Sequence, residues 1–191
     1  MEPLRVNEIF YSLQGEGHYT GTAAIFVRLS GCNMRCSFCD TQHEQYTLLS
    51  PADILQSISQ YPAHHIVLTG GEPTMQPLEQ LISLLHQHHY FIQLETNGSL
   101  PIPEGIDWPT CSPKGPIHPD NLHRIKELKV VFWGQDIQQW ETIPALEYRL
   151  QPLDSGDSER NKAITAQTID YIQHHPQWRL SLQTHKILNV Q

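Results

Sequence analysis

Along this chain short β-rich segments alternate with amphipathic helical patterns, an order that allows few folds. Ala24 to Leu29, Ile66 to Thr69, Phe91 to Glu95, Leu128 to Phe132, Glu147 to Gln151 and Arg179 to Gln183 read as strands. Ser50 and Pro51 suit a helix N-cap and first helical position, after which Ile54, Leu55, Ile58 and Tyr61 recur on one face. Leu78, Leu81, Ile82 and Leu85 repeat at the spacing of a core-facing stripe, and a weaker helical pattern runs from about Asn161 to His175. The alternation predicts an α/β fold with a mostly parallel sheet. A full eight-unit barrel takes about 250 residues. The 191 residues here therefore predict an abridged, open, TIM-like barrel with helices on its outer face. Pro101 to Pro119 and Asp154 to Asn161 read as surface loops rather than linkers, so residues 1–191 are expected to form a single domain. In such a sheet the loops that follow the strands carry the chemistry.

Charge narrows the partners. Twelve Lys and Arg against twenty Asp and Glu give a net charge of −8, and no basic run offsets it, so a nucleic acid is not expected to bind directly. No apolar run approaches the roughly 20 residues of a membrane span. Met1 to Arg5 lacks the features of a secretory signal, and a cytoplasmic location is expected.

Three of the four cysteines, Cys32, Cys36 and Cys39, fall within one short segment after the first of these strands, spaced C-x3-C-x2-C. Thiolates are the usual ligands of iron–sulfur clusters, and three of them leave one of four irons open to another ligand. The same thiolates could instead bind structural zinc with His43 as a fourth ligand. Cys111 stands apart and suits a small buried position.

The C-x3-C-x2-C spacing resembles the signature of the radical S-adenosyl-L-methionine (SAM) superfamily. That resemblance implies a 4Fe-4S cluster on Cys32, Cys36 and Cys39 whose open iron chelates SAM and splits it to a 5′-deoxyadenosyl radical. Gly70-Gly71-Glu72-Pro73 resembles the superfamily motif that holds the SAM amino group. Further SAM contacts are implied at Phe38, Asp40 and Asn97, in the Ser112-Pro113-Lys114 segment, and at Gln151, Pro152, Leu153 and Asp154. Taken alone, the Gly-Gly and Asn-Gly pairs would suit ordinary turns.

Three segments are more specific. Tyr11 to Gly17 (YSLQGEG), Cys39-Asp40-Thr41 and Leu182 to Lys186 (LQTHK) together resemble the 7-carboxy-7-deazaguanine synthase family over nearly the whole chain. The family contracts 6-carboxy-5,6,7,8-tetrahydropterin to 7-carboxy-7-deazaguanine with loss of ammonia, in queuosine-type deazapurine biosynthesis. The resemblance implies a substrate pocket formed by Leu13, Gln14, Gly15, Glu16, Arg28, Thr69, His185 and Gln191, the last through its terminal carboxylate on a tail that folds back. It also implies Mg2+ on Thr41, a flavodoxin or ferredoxin as electron donor, and a homodimer. Backbone and amide groups suit a pterin edge, and the planar fork of Arg28 suits a carboxylate. Glu16 suits the ring's N–H groups but would equally suit an exposed loop. A glycyl-radical activase shares the cysteine spacing without the YSLQGEG segment or the tail, and a zinc-binding interaction module would share the cysteines alone.

Overall fold

The protein is described by a computed structural model covering residues 2–39, 41 and 44–191. Among the described residues nine strands form one sheet in the order β3-β1-β2-β4-β5-β6-β7-β8-β9. They are β1 (Leu4–Leu13), β2 (Ala23–Leu29), β3 (Thr47–Leu49), β4 (His65–Gly70), β5 (Phe91–Thr96), β6 (Trp108–Cys111), β7 (Glu127–Phe132), β8 (Glu147–Pro152) and β9 (Trp178–Leu180). The seven strands from β2 to β9 in this order, β2, β4, β5, β6, β7, β8 and β9, all run parallel, while β1 is antiparallel to both β2 and β3. Strands β3 and β9 end the sheet without pairing with each other, so the barrel is partial and open.

Among the described residues five α-helices, α1 (Pro51–Ile58), α2 (Glu79–Gln87), α3 (Gln138–Glu141), α4 (Ser158–His174) and α5 (Thr184–Leu188), accompany the strands. Ser50 caps α1 in a capping box: its hydroxyl accepts from Asp53 N at 3.2 Å while its own N–H donates to Asp53 Oδ2 at 2.9 Å. Such a cap contributes about 1 kcal/mol. The helix ends at Ile58, a turn earlier than the apolar pattern suggests, and Tyr61 packs on the core from beyond it. Ile54, Ile58, Leu81, Ile82 and Leu85 join one apolar core with Ile25, Val27, Leu29, Ile66, Leu68, Ile92, Leu94, Leu128, Val130 and Leu150 of the strands. No helix among the described residues is long and apolar enough to cross a membrane.

Because side chains alternate across a strand, the opposite face of the sheet carries the intervening residues. Phe26 and Val67 pack there with Phe10. Beyond that small apolar layer the face is polar, with Arg28, Gln93, Glu95, Thr110, Glu127, Lys129 and Gln151. A parallel sheet is normally apolar on both faces. This one encloses a polar lumen.

Three expectations about elements are corrected. Trp108–Cys111, inside the supposed Pro101–Pro119 loop, is strand β6, paired with β5 and β7. The last strand is Trp178–Leu180 rather than Arg179 to Gln183: Ser181 N still donates to Leu150 O, but the chain then leaves β8 for the 15–17 segment, where Thr184 N donates to Gly15 O. Ser158–Asn161, the end of the supposed Asp154–Asn161 loop, is already the first turn of a helix; the ten-residue β1, besides, precedes the first strand that sequence periodicity discloses.

Candidate active site

The cysteine segment leaves the end of β2 and is stitched at its root to the turn after β4. Gly71 N donates to Leu29 O at 3.0 Å and Glu72 N to Gly31 O at 2.8 Å. The two glycines permit this approach. Gly70 has φ +120°, and a Cβ on Gly71 would lie 2.0 Å from Gly31 O. Cys32, Cys36 and Cys39 are free thiols, the first two half-buried and the third exposed. Among the described residues no three Cys, His, Asp or Glu side chains converge as ligands of a single ion do. Each thiolate of a four-iron cluster binds a different iron, so this donor set suits such a cluster. Asp40 and His43 lie outside the described residues.

Further loops close around the cysteines at the same edge of the sheet. Asn33 accepts from Asn97 Nδ2 at 3.0 Å and donates to Ser99 Oγ at 2.9 Å, tying the cysteine segment to the loop after β5. Glu72 is buried, and both its oxygens are engaged by the chain: Oε1 accepts from Thr74 N, Thr74 Oγ1 and Thr96 Oγ1, and Oε2 from Asn97 N. Its carboxylate therefore holds two loops together. Lys114, after β6, curls its ammonium onto Ser112 O and Oγ, both at 2.6 Å, and burial lowers its pKa. Phe38 packs on Trp133 with ring centroids 5.7 Å apart, and Thr41 O accepts from Cys39 Sγ at 3.7 Å. At the end of β8, Gln151 turns into the lumen, while Asp154 pairs with Lys186 of α5 at 2.9 Å and is lowered to about 2 by that bond and those from Gly156 N and Asn161.

The lumen is held by charge. Lys129, only 4% exposed, bridges Glu16 Oε2 at 2.6 Å and Glu95 Oε2 at 3.0 Å. Glu16 Oε1 also accepts from Gln151 Nε2 at 3.1 Å and Gln183 Nε2 at 2.9 Å. Burial opposes ionisation of Glu16, but Lys129, the Gln183 amide and His185 outweigh it and hold the carboxyl at about 2. Burial with the neighbouring Glu127 and Glu16 pushes Glu95 up to about 7 against the pull of Lys129. Below them the buried Glu127 accepts from His18 N, Trp108 Nε1 and Thr110 Oγ1, closing the lumen under the 14–22 turn.

The segment after β9 docks onto this turn. Thr184 N and Oγ1 both donate to Gly15 O at 2.9 Å, and Gly17 N donates to Ser181 Oγ at 2.9 Å. Leu13 ends β1 just ahead of it, and the buried Gln14 reaches Glu95. Arg28 pairs through Nε with Glu8 Oε1 at 2.7 Å and lies over the Phe10 ring, next to Thr69 in the β2–β4 register. Gln191 Nε2 donates to Glu8 Oε2 at 2.9 Å, so the tail folds back to the strand that faces Arg28. The described cofactor-side residues thus follow the C-terminal ends of the parallel strands, Leu13 to Glu16 sit at the other end, where Leu13 pairs with Ala23, and the polar lumen joins the two. Glu8, Glu95, Glu127 and Lys129 join them without having been singled out.

A sequence model of the radical SAM superfamily matches residues 26–141. A 7-carboxy-7-deazaguanine synthase of Bacteroides thetaiotaomicron is 50% identical, the match covering 97% of this chain and 98% of that protein. The chain belongs to the 7-carboxy-7-deazaguanine synthase family of radical SAM enzymes. The Burkholderia multivorans 7-carboxy-7-deazaguanine synthase is 40% identical over 97% of this chain and 98% of its own length. The crystal structure of QueE from Escherichia coli matches with a TM-score of 0.77 at 29% identity, covering 94% of this chain and 93% of that one. Streptococcus suis SuiB bound to its precursor peptide SuiA, at 13% identity and a TM-score of 0.56, shares the fold alone. Membership of the family implies a 4Fe-4S cluster and SAM at the site built by these loops.

Proposed function

We propose that the protein contracts 6-carboxy-5,6,7,8-tetrahydropterin to 7-carboxy-7-deazaguanine, releasing ammonia, as a step of queuosine-type deazapurine biosynthesis. What supports this reading is the docking of residues 181–185 onto residues 15–17 over a polar lumen, which places the family's two substrate segments side by side. Cys32, Cys36 and Cys39 would hold the cluster. The SAM amino group would meet the Gly70–Gly71 backbone, with Glu72 fixing the turn, and the rest of SAM would lie along Phe38, Asp40, Asn97, Ser112 to Lys114 and Gln151 to Asp154. When bound, these cofactors supply a carbon radical able to take hydrogen from the substrate.

The chain's own residues bind, orient and shield. Gln14 and the Leu13 and Gly15 backbone read the pterin edge. Arg28 engages Glu8 through Nε, which leaves its Nη edge to a substrate carboxylate. His185, held against Gly15, closes the pocket from the tail side, and Gln191 and Thr69 complete it. Thr41 offers a hydroxyl to Mg2+, which commonly bridges one or two protein oxygens to a ligand. Sequestering the substrate protects a reactive intermediate from competing donors. The electron comes from a flavodoxin or ferredoxin, and the protein works as a cytoplasmic homodimer.

The test is to incubate anaerobically reconstituted, reduced protein with SAM and the carboxypterin and to look for the deazapurine by mass spectrometry. Product with ammonia is expected. Cleavage of SAM with no deazapurine would overturn the reading in favour of a glycyl-radical activase.

A further inference from the structure

Gln14 is a side-chain amide whose two ends look alike in shape and opposite in hydrogen bonding, so its usefulness to a substrate depends on which way round it is held. Two bonds decide that here. Gln14 Nε2 donates to Glu95 Oε1 at 3.4 Å, and Gln14 Oε1 accepts from Glu16 N at 3.3 Å. One N–H and one lone pair of the amide remain, a donor and an acceptor on the same group, as an amide-like heterocycle edge requires.

Glu95 is built to fix this choice. Gln93 Nε2 donates to the same Oε1 at 2.9 Å, and Lys129 Nζ faces the other oxygen, Oε2, at 3.0 Å. Every described partner of the carboxylate is a donor. We propose that Glu95 is a positioning residue for substrate recognition: by accepting only, it holds the Gln14 amide in the one orientation that presents a donor and an acceptor to the pterin edge. The proposal rests on the ring-contraction reading, since it names the side chain that makes the Gln14 subsite specific.

The charged and titratable groups around Glu95 make the device responsive to pH. Lys129 and Glu127 face it from β7 and Glu16 from the 14–17 turn, Cys111 of β6 points to the apolar core on the other face, and Gln14 and Gln93 are neutral. A proton on Glu95 cannot sit on Oε2, where an ammonium already points. It must sit on Oε1, between two amide N–H groups, and one of those amides then has to turn over. Burial places that protonation near neutrality.

The test compares wild-type and E95Q holoenzyme, loaded with cluster and SAM. Two readouts are used: steady-state kinetics on the carboxytetrahydropterin, and equilibrium binding of 6-carboxypterin followed by its own fluorescence. A glutamine at 95 keeps the shape but allows both amides to flip. The expected result is a KM and a dissociation constant raised about tenfold, the size of one lost hydrogen bond to a charged group, with kcat and SAM cleavage without substrate little changed. In the wild type, KM should rise as pH falls from 8 to about 6, the window set by a carboxyl near 7. In Q14A, adding E95Q should cost nothing more. Additive losses in the double variant, or a wild-type KM flat across that pH range, would overturn the proposal, and the second needs no variant that must fold. Failure of the ring-contraction reading looks different: wild-type protein would then form no deazapurine at all, whereas failure of this inference leaves turnover intact.

Discussion

Gly15 and His185 touch so closely that a Cβ at position 15 would lie 2.1 Å from His185 Nδ1. The side chain cannot simply withdraw, because Thr184 is bonded through both N and Oγ1 to Gly15 O. G15A should therefore lift the segment after β9 off the substrate turn. The expected outcome is loss of substrate turnover of about a hundredfold or more, as misplacing groups by an ångström produces, while SAM is still cleaved without substrate. Hydrogen exchange should show residues 181–188 opening. Unchanged exchange together with normal turnover would show that the tail tolerates the contact.

Lys129 stands between two buried carboxylates, and its removal by K129M leaves both without their cation. Glu16 retains two amide donors, from Gln151 and Gln183, and Glu95 retains two amide donors, from Gln93 and Gln14. Those are weaker than an ammonium inside a polar lumen. Breaking one side of a buried pair typically costs about 3–5 kcal/mol, and an effect near the lower end is expected here. Urea unfolding of anaerobic protein measures it. A loss below about 1 kcal/mol would place the stability of this layer in the amides instead.

Gly71 meets backbone where Gly15 meets a side chain, and backbone cannot rotate away. A Cβ there would lie 2.0 Å from Gly31 O, one residue ahead of Cys32. G71A should push the root of the cysteine segment outward and lower iron and sulfide content after reconstitution to a small fraction of the wild-type value. Gly115, whose added Cβ would meet nothing within 4 Å, is the control, and G115A should load fully. Equal iron in both variants would sink the argument.

Features set by local spacing were legible in the sequence: the three cysteines, the Gly-Gly turn, the Ser50 cap and the apolar stripe of α2. What stayed hidden has specific physical causes. In β1 the register shifts between Val6 and Glu8, so Leu4 and Val6 join the main core while Phe10 points to the lumen side. A period of two is broken mid-strand, and periodicity cannot register it. In β6, Pro109 removes a donor and mimics a loop, yet its carbonyl still accepts from Lys126 N. The Lys129 network joins residues as far as 167 apart, beyond any local pattern. Its one sequence signal was the alternation of Gln93 and Glu95 with Ile92 and Leu94, and of Glu127 and Lys129 with Leu128 and Val130. Charges at period two in strands of a parallel sheet mark a polar lumen. Nothing in the spacing identified Glu8, which receives both Arg28 and Gln191.

The two carboxyls on Lys129 make opposite contributions to stability as pH changes. Glu16 falls from 4.5 to about 2 on folding, so the stability it contributes is present above 4.5 and lost as pH drops toward 2. Glu95 rises from 4.5 to about 7, so in that interval the folded protein binds the extra proton. Its contribution is complete below 4.5 and is lost as pH rises through 7. The shift corresponds to about 3 kcal/mol at 1.36 kcal/mol per pKa unit. Other groups titrate over the same range, but the difference between wild type and E95Q isolates this one. Anaerobic urea unfolding at intervals from pH 5 to 8 should show wild type losing stability relative to E95Q, most steeply between 5 and 7. Parallel profiles for the two proteins would mean that Lys129 keeps Glu95 ionised throughout, and that the lumen carries a fixed charge rather than one that changes near neutral pH.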